Sequence, residues 1–421
     1  MTLTARQART RFLILEALRW FPTGLLLPVW ALLPVERGLT LAQLGVAAAA
    51  QGVVVLALEL PTGGLSDSLG RRPVLLASVV LSLASLGLVF VANSFVLFAA
   101  AFAVQGVYRA LDSGPLQAWY VDVTLAADPD RDVTGGLSAG GTVTGLAIGC
   151  GALTGAGLVA LDPLQRVEAL ATPVLAAGAV QLVALSAIGV LVAEVRRARG
   201  LSAVVRSVAS VPRVIGGGVR LLRGSRILAA LVAVELFWGF GMVAFEVLMP
   251  IRLAEVTGGT GDAAALMGPA GAGAWAAAAA GAGLAGLAAR WFSTSSTAAA
   301  LRVLQGLTVA GMAVFAGPVG IVTAYLATYA VHGASNPLHH SLLHQQVTSQ
   351  HRTTVLSLNS MVAQPAGAVG LVVLTAVADG VSVQFAIICG ATVLALAAPL
   401  YLPAWRAHRE RSALDAATVG A

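Results

Sequence analysis

The sequence predicts an all-α polytopic membrane protein with twelve transmembrane helices in two six-helix bundles. First, 58% of the 421 residues are hydrophobic and only 10% are charged, against roughly 25% charged residues in an ordinary soluble domain. Second, the apolar residues form continuous runs, whereas strands that span a membrane alternate apolar and polar residues. Third, short sequences recur in the second half of the chain at a nearly constant offset.

Twelve apolar runs are long enough to cross a bilayer, because a transmembrane helix needs about 20 residues. Only helices satisfy their own backbone polar groups in lipid, so each run is predicted to be a helix. We number them as spans one to twelve. They cover residues 12–33, 41–66, 73–94, 95–120, 133–160, 171–192, 227–250, 262–289, 296–316, 319–343, 354–378 and 381–403.

The spans divide the chain into four predicted segments. These are an N-terminal bundle (1–192), an Arg-rich linker (193–226), a C-terminal bundle (227–403) and a tail (404–421). Within the linker, Arg206, Arg213 and Arg220 recur every seven residues. This spacing fits an amphipathic helix on an anionic membrane surface, and a plain positively charged linker fits it equally well.

The distribution of positive charge predicts the orientation. All 25 residues counted as Lys or Arg are Arg, and most lie at the termini and in the even-numbered connections. The odd-numbered connections carry only Arg37, Arg166 and Arg252. The positive-inside rule then places both termini in the cytoplasm. Because topology explains the net charge of +6, nucleic-acid binding is not indicated. The Arg-, Ala- and Gly-rich, Lys-free composition is typical of a GC-rich bacterial genome, so the expected location of this membrane protein is a bacterial inner membrane.

The two halves of the chain resemble each other. Ser113-Gly114-Pro115-Leu116 in span four resembles Ser335-Asn336-Pro337-Leu338 in span ten, 222 residues later. Pro34-Val35 near the end of span one resembles Pro250-Ile251 near the end of span seven, 216 residues later. The agreement of these offsets predicts a six-plus-six duplication.

The connection between spans two and three contains an unusual turn. It reads Gly63-Gly64-Leu65-Ser66-Asp67-Ser68-Leu69-Gly70-Arg71-Arg72-Pro73. Gly70 can adopt the left-handed conformation that ends a helix, and Pro73 suits the first turn of the next one. Asp67 lies near a helix C-terminus, which disfavours negative charge. It therefore needs a partner, either the neighbouring Arg residues or the N-terminus of another helix.

This turn resembles the signature of the major facilitator superfamily of secondary transporters. Gly63, Asp67, Gly70, Arg71 and Arg72 occupy the matching positions. The strings Glu59-Leu60-Pro61-Thr62-Gly63, Arg109-Ala110-Leu111-Asp112-Ser113-Gly114-Pro115 and Ala118-Trp119-Tyr120-Val121-Asp122 are similar to variants in its drug-efflux-like members. Ser68 replaces a residue that is usually basic, and Gly286 stands where Asp67 would recur in the second half.

The resemblance implies two bundles related by an axis along the membrane normal, with the substrate site between them. It further implies alternating access, in which Asp67 and Arg71 with Asp122 stabilise one access state. The expected function is export of a small amphipathic molecule in exchange for protons, by a monomer in membrane lipid that needs no cofactor besides the proton gradient. Proton-coupled uptake or uniport of a small nutrient is the alternative.

Two further classes of function are weaker alternatives. An intramembrane enzyme would need a nucleophile with its base or a carboxylate pair for a metal, and we find neither pattern. A sensor or scaffold would need a longer central loop. Gly136, Gly145 and Gly149 have the spacing of an antiporter signature in span five, but Cys150 stands where Pro is expected. Small-residue helix packing explains these glycines equally directly.

Six charged residues fall within predicted spans one, four and seven, where each costs a few kcal/mol on insertion scales and is a functional candidate. They are Glu16, Arg19, Arg109, Asp112, Glu235 and Glu246. Glu16 and Arg19 are three residues apart and so share a helix face, as do Arg109 and Asp112. Such pairs could instead be structural. We predict Asp112 and Glu235 as proton-coupling residues, with Arg109 modulating Asp112.

Four further side chains in spans one, seven and ten are candidates for the substrate cavity. They are Trp20, Trp238, His332 and Asn336. Five of the six histidines cluster at His332, His339, His340, His344 and His351. Although His340 and His344 have a spacing found in metal sites, no carboxylate or Cys lies close in sequence. We therefore interpret the cluster as surface histidines and predict no metal site.

Overall fold

The computed structural model describes residues 3–63, 65, 69–193, 209, 216–288, 293–347 and 352–419. Within these ranges the chain is helical and contains no strand. All twelve predicted spans are confirmed as helices. The first six are Ala5–Leu26 with Leu32–Glu36, Leu41–Gly63, Arg71–Val91, Phe95–Asp112 with Pro115–Ala127, Thr134–Leu161, and Thr172–Leu191.

The second six also begin with a helix followed by a short second helix, whereas span ten is continuous where span four is broken. They are Arg226–Glu246 with Leu248–Thr257, Thr260–Ala288, Thr294–Val314, Pro318–Gln345, Arg352–Gly380, and Val383–Leu396. A 3₁₀ turn at Ala398–Tyr401 leads from span twelve into a tail helix, Leu402–Val419.

Ten of these helices, as far as the described residues go, are long and apolar enough to cross a membrane. The helices of spans one and ten fall outside that group. Span one carries Glu16 and Arg19, and span ten carries several histidines, so polar side chains lower the hydropathy of both. Both are among the spans from which the sequence predicts side chains of the substrate cavity.

Three of the spans are interrupted, span one at 27–31, span four at Ser113-Gly114 and span seven at Val247. Spans one and seven each end in a short second helix that contains Pro34 or Pro250, as their shared sequence pattern suggests. Span four breaks at Ser113-Gly114, where Gly114 has φ +94° and Pro115 begins the next helix. The matching Asn336-Pro337 lies inside a continuous helix. Gly reaches positive φ without steric cost, and Asn less readily.

The chain divides into two compact units. The first comprises residues 1–212 and 257–272, and the second comprises residues 213–256 and 273–421. In the first unit, span one packs against spans five and six, and span three against spans four and six. In the second unit, span seven packs against spans eleven and twelve, and span nine against spans ten and twelve. The same pairs therefore recur, as a six-plus-six duplication predicts.

Small residues bring spans one and five into backbone contact. A Cβ added to Gly24 would lie 2.3 Å from the carbonyl oxygen of Ile148, and one added to Gly151 would lie 2.4 Å from that of Phe21. Because the hydrophobic effect does not drive helices together within lipid, such close packing stabilises a membrane bundle. Gly136, one of the glycines of the antiporter-like pattern, lies against the ring of Tyr120, which fits the packing interpretation.

Most of the linker, including Arg206 and Arg213, lies outside the described residues, so the predicted amphipathic helix stays a prediction. Residues 216–224 form a helix, and Arg220 on it is exposed. Span seven then begins at Arg226, where the Ser225 side chain accepts a hydrogen bond of 3.2 Å from the Leu228 amide.

Candidate functional site

The first unit contains a buried ion pair between spans one and four. Arg19 donates from Nε to the carboxylate of Asp112 and from Nη2 to the Asp112 carbonyl oxygen, at 2.8 Å. Asp112 is 8% exposed. The sequence names both residues as candidates, but it pairs Asp112 with Arg109. In the structure Asp112 pairs with Arg19 instead, and the side chain of Arg109 is exposed.

The break in span four explains why Arg19 lies there. Asp112 is the last residue of its helix, so its carbonyl oxygen has no partner in the next turn, and the helix dipole disfavours its negative charge. The guanidinium group of Arg19 stabilises this helix end in two ways. Its N–H donors bind the free carbonyl oxygen, and its positive charge compensates the carboxylate. Gly114 and Pro115 fix the break and thereby the position of Asp112.

Glu16 adds a second carboxylate to the same group. Its Oε2 lies 3.5 Å from Arg19 Nη1, and its Oε1 accepts hydrogen bonds of 3.2 Å from Trp20 Nε1 and from Thr144 on span five. The predicted shared face of Glu16 and Arg19 is thus observed. The guanidinium of Arg19 also lies 5.3 Å from the Trp20 ring centroid, so one Arg serves two acids and an aromatic ring.

A small cavity adjoins this pair. Its polar lining consists of Arg19, Tyr108, Asp112 and Gln181, and the rest of its wall is aliphatic. About 20 Å³ is open to the centre of a water molecule, which is roughly the room that one water needs. The carboxylate of Asp112 therefore borders a space that a water molecule fits.

The second unit contains a buried polar cluster centred on His339. Its Nε2 lies 3.3 Å from the Glu235 carboxylate and 3.4 Å from Asn359 Oδ1, and its Nδ1 lies 2.9 Å from the Tyr401 hydroxyl. His339 is 1% exposed, so its interpretation as a surface histidine is wrong. The neighbouring His340 is exposed, because successive helical residues face different directions.

Sequence reasoning missed Arg302, the cation of this cluster. Arg302 lies in span nine, is 1% exposed and donates from Nη1 to Gln305 Oε1 at 2.8 Å. Its charge acts on Glu235, His339 and Tyr401. The signal that identified the other six intramembrane charges, an ionisable residue inside an apolar run, also applies to Arg302.

A row of aromatic rings lies on spans seven and ten. Trp238 stacks on His332 at 5.4 Å between centroids, and Tyr329 lies edge-on to Tyr325 at 4.9 Å and to His332 at 6.4 Å. The Tyr329 hydroxyl donates to the carboxylate of Glu246. Of the predicted cavity residues, the structure thus brings together Trp238 and His332, and Asn336 Nδ2 lies 3.2 Å from His332 Nε2.

The 63–73 turn is described in part. Gly70 has φ +100° and caps span three, which begins at Arg71. Arg71 Nη2 lies 3.1 Å from Asp122 Oδ2 on the second helix of span four, and Arg72 donates to the Gly189 carbonyl. The predicted association of Arg71 with Asp122 is therefore present. Asp67 lies outside the described residues, and its role stays a prediction.

Comparison with known proteins decides the family. The sequence matches the Major Facilitator Superfamily over residues 12–371. The chain belongs to the Major Facilitator Superfamily. This membership makes it a multi-pass membrane protein and points to a transporter of small molecules. No curated protein sequence matches the chain significantly.

Solved structures of superfamily transporters share the fold. A mutant of the nucleoside transporter NupG has a TM-score of 0.76 at 11% identity, covering 94% of this chain and 99% of its own. A bacterial homologue of the human lysosomal transporter Spinster has a TM-score of 0.76 at 13% identity, with coverages of 94% and 96%. A mutant of the peptide transporter POT reaches 0.73 at 12%, with coverages of 94% and 93%.

The described residues contain no group of three or more His, Cys, Asp or Glu side chains placed to hold a metal ion. Both units contain buried acids, guanidinium groups and aromatic rings. Such groups exchange protons and bind polar or charged molecules.

Proposed function

We propose that the chain is a proton-coupled secondary transporter that moves a small amphipathic molecule across the bacterial inner membrane by alternating access. The single observation that carries this proposal is the buried pair of Arg19 and Asp112 beside a water-sized cavity. Ionisable groups inside a membrane protein are expensive and mark substrate or proton pathways.

The pair offers a physical route to coupling. An ion pair stabilises the charged form of a carboxylate, and burial without a cation stabilises the neutral form. Asp112 is held by a residue of another span, so a movement of span one relative to span four would separate the two charges. Asp112 would take up a proton when Arg19 leaves and release it when Arg19 returns.

Glu235 is the second proposed coupling residue. It lies in the second unit, 3.3 Å from His339 and within the influence of Arg302. Each unit thus holds a buried acid that we propose for coupling. Asp112 lies on span four of the first unit, and Glu235 lies on span seven of the second. The acids Glu16 and Glu246 have partners of their own and serve as further candidates.

Export is the direction that we propose. It is supported by the similarity of Glu59–Gly63 and Arg109–Pro115 to drug-efflux-like sequences. Uptake is the second candidate, favoured by one departure, since Cys150 stands where the antiporter pattern has Pro. The pair of Arg71 and Asp122 would stabilise one access state of the transporter. We propose that Asp67, in the 63–73 turn, contributes to the same stabilisation.

The remaining features of the proposal follow the same resemblance. We propose a monomer surrounded by membrane lipid, with both termini in the cytoplasm. The proton gradient is its energy source, and no cofactor is needed. These statements depend on the charge distribution and the family pattern.

Proteoliposomes that enclose a pH-sensitive dye test the coupling. We expect proton movement when a transported compound is added, from a panel of an amphipathic dye, a nucleoside and a dipeptide. Asp112→Asn and Glu235→Gln should each reduce proton movement per molecule transported by about tenfold or more, because an amide cannot carry the proton. Asp130→Asn, in an exposed loop, is the matched control and should behave as wild type.

Unchanged coupling in both carboxylate variants would overturn the assignment of protons to these residues. The direction is tested by comparing right-side-out and inside-out membrane vesicles. In both, the membrane face that is outermost in the cell is made acidic. Accumulation in inside-out vesicles that are acidic inside indicates export by exchange, and accumulation in right-side-out vesicles driven by inward proton flow indicates uptake.

A further inference from the structure

The aromatic row of the second unit is continuous and carries an acid at one end. Tyr325, Tyr329, His332 and Trp238 follow one another with centroid distances of 4.9, 6.4 and 5.4 Å. Phe245 adds an edge-on contact to Tyr329 at 5.8 Å. We call this set, together with Glu246, the aromatic-acid cluster.

Glu246 has a hydrogen-bond donor but no cation near it within the described part of the chain. Its Oε1 accepts from the Tyr329 hydroxyl, and no described Arg or His nitrogen lies within ion-pair distance of it. The residue is exposed, so a ligand can approach its side chain. This contrasts with Glu16, Asp112 and Glu235, which all have a cation or a histidine beside them.

Packing alone does not account for this arrangement. Rings in a membrane bundle pack equally well without a carboxylate, and an intramembrane charge is costly. Two further polar atoms of the cluster, Trp238 Nε1 and His332 Nδ1, are buried and have no hydrogen-bond partner among the described residues. Buried polar atoms without partners call for an explanation, and a bound ligand or water is one that fits here.

We propose that the aromatic-acid cluster is a binding subsite for an organic cation, an amine or quaternary ammonium or phosphonium group with apolar substituents. Aromatic faces attract cations within about 6 Å of the ring, and Glu246 supplies the opposite charge. The rings of Tyr329 and Trp238 accommodate the apolar substituents. This inference rests on the proposed transport function, and it narrows the amphipathic substrate to one that is positively charged.

The same geometry discriminates against other ligands. A neutral molecule of equal shape gains only ring contacts, and an anion is repelled by the carboxylate. The subsite therefore predicts a strong preference for tetraphenylphosphonium over tetraphenylborate, which have nearly the same size and shape and opposite charges.

Equilibrium binding of these two ions to the purified full-length chain tests the proposal. We expect saturable binding of tetraphenylphosphonium and at least tenfold weaker binding of tetraphenylborate. Glu246→Gln and Tyr329→Leu should each weaken tetraphenylphosphonium binding by about fivefold or more, which matches the usual strength of such contacts. Tyr329→Phe keeps the ring and should lose less. Glu255→Gln, an exposed acid beyond the cluster, should bind as wild type.

Thermal stability of each variant shows whether it is folded, and binding is compared only among variants that melt as wild type does. Equal affinity of Glu246→Gln and wild type, or equal binding of the two ions, would overturn the proposal. Binding without transport would leave the subsite standing and contradict the proposed function. Proton-coupled transport of an uncharged compound without tetraphenylphosphonium binding would contradict the subsite and leave the proposed function standing.

Discussion

At the scale of single residues, buried charged side chains are stabilised by specific polar partners. Arg19 compensates the helix end and the carboxylate of Asp112. Arg302, 1% exposed, is the corresponding cation of the second unit. Desolvating a guanidinium costs several kcal/mol unless its neighbours are complementary, so the cluster around it must contribute to holding spans seven, nine and ten together.

Removal of Arg302 tests this contribution. Arg302→Met should lower the melting temperature of the purified protein clearly, because it removes a buried guanidinium that donates to Gln305 and whose charge opposes that of Glu235, and a buried charge left without compensation costs about 3–5 kcal/mol. The double variant Arg302→Met with Glu235→Gln should recover part of the loss, because it removes the remaining charge as well. Thermal unfolding followed by fluorescence measures both.

The control is Arg223→Met, which removes an exposed Arg just before span seven and should leave the melting temperature unchanged. If Arg302→Met melts as wild type does, or if the double variant is no more stable than the single one, Arg302 does not stabilise Glu235.

At the scale of elements, breaks and close contacts decide where the helices lie. Gly114 lets span four change direction in the middle of the bundle, while the matching span ten continues through Pro337. Spans one and five approach so closely that any side chain at the contact would overlap a backbone carbonyl. The position of Arg19 beside Asp112 depends on both features.

The contact of spans one and five predicts a large effect at one glycine and a small one at another. Gly151→Leu should strongly reduce folded protein and transport, because its Cβ would lie 2.4 Å from the Phe21 carbonyl oxygen. Gly157→Leu on the same helix should have little effect, because a Cβ there has nothing within 4 Å. Size-exclusion profiles of the two purified variants measure the difference. Similar profiles would contradict this account of the packing.

At the scale of the whole molecule, the positive charge of the chain predicts its orientation in the membrane. The even-numbered connections and both termini carry most of the Arg residues, and the odd-numbered connections carry few. Because Arg is retained on the cytoplasmic side, the connection between spans five and six should lie outside and the linker inside.

Cysteine labelling tests this orientation. In a chain whose Cys150 and Cys389 are replaced by Ser, Gln165→Cys should react with a membrane-impermeant maleimide in intact cells. Ser202→Cys should react only after the cells are permeabilised. Labelling of Ser202→Cys in intact cells would place the linker outside and would contradict the proposed topology.

The sequence by itself determined the features that depend on neighbouring residues. Hydropathy located all twelve spans, because a helix in lipid must be apolar along its length. Pro34-Val35 and Pro250-Ile251 indicated an internal repeat, and the structure places both strings in the short second helices that end spans one and seven. The three-residue spacing of Glu16 and Arg19 correctly predicted that they meet.

Only the tertiary structure decided which charges meet across the bundle. Arg19 and Asp112 are 93 residues apart, and the nearer Arg109 gave a reasonable but different partner for Asp112. His339, Tyr401 and Arg302 come from three spans and form one buried cluster, which no local pattern indicates. Ion pairs depend on distance in space, and in a bundle that distance is set by packing between helices that are far apart along the chain.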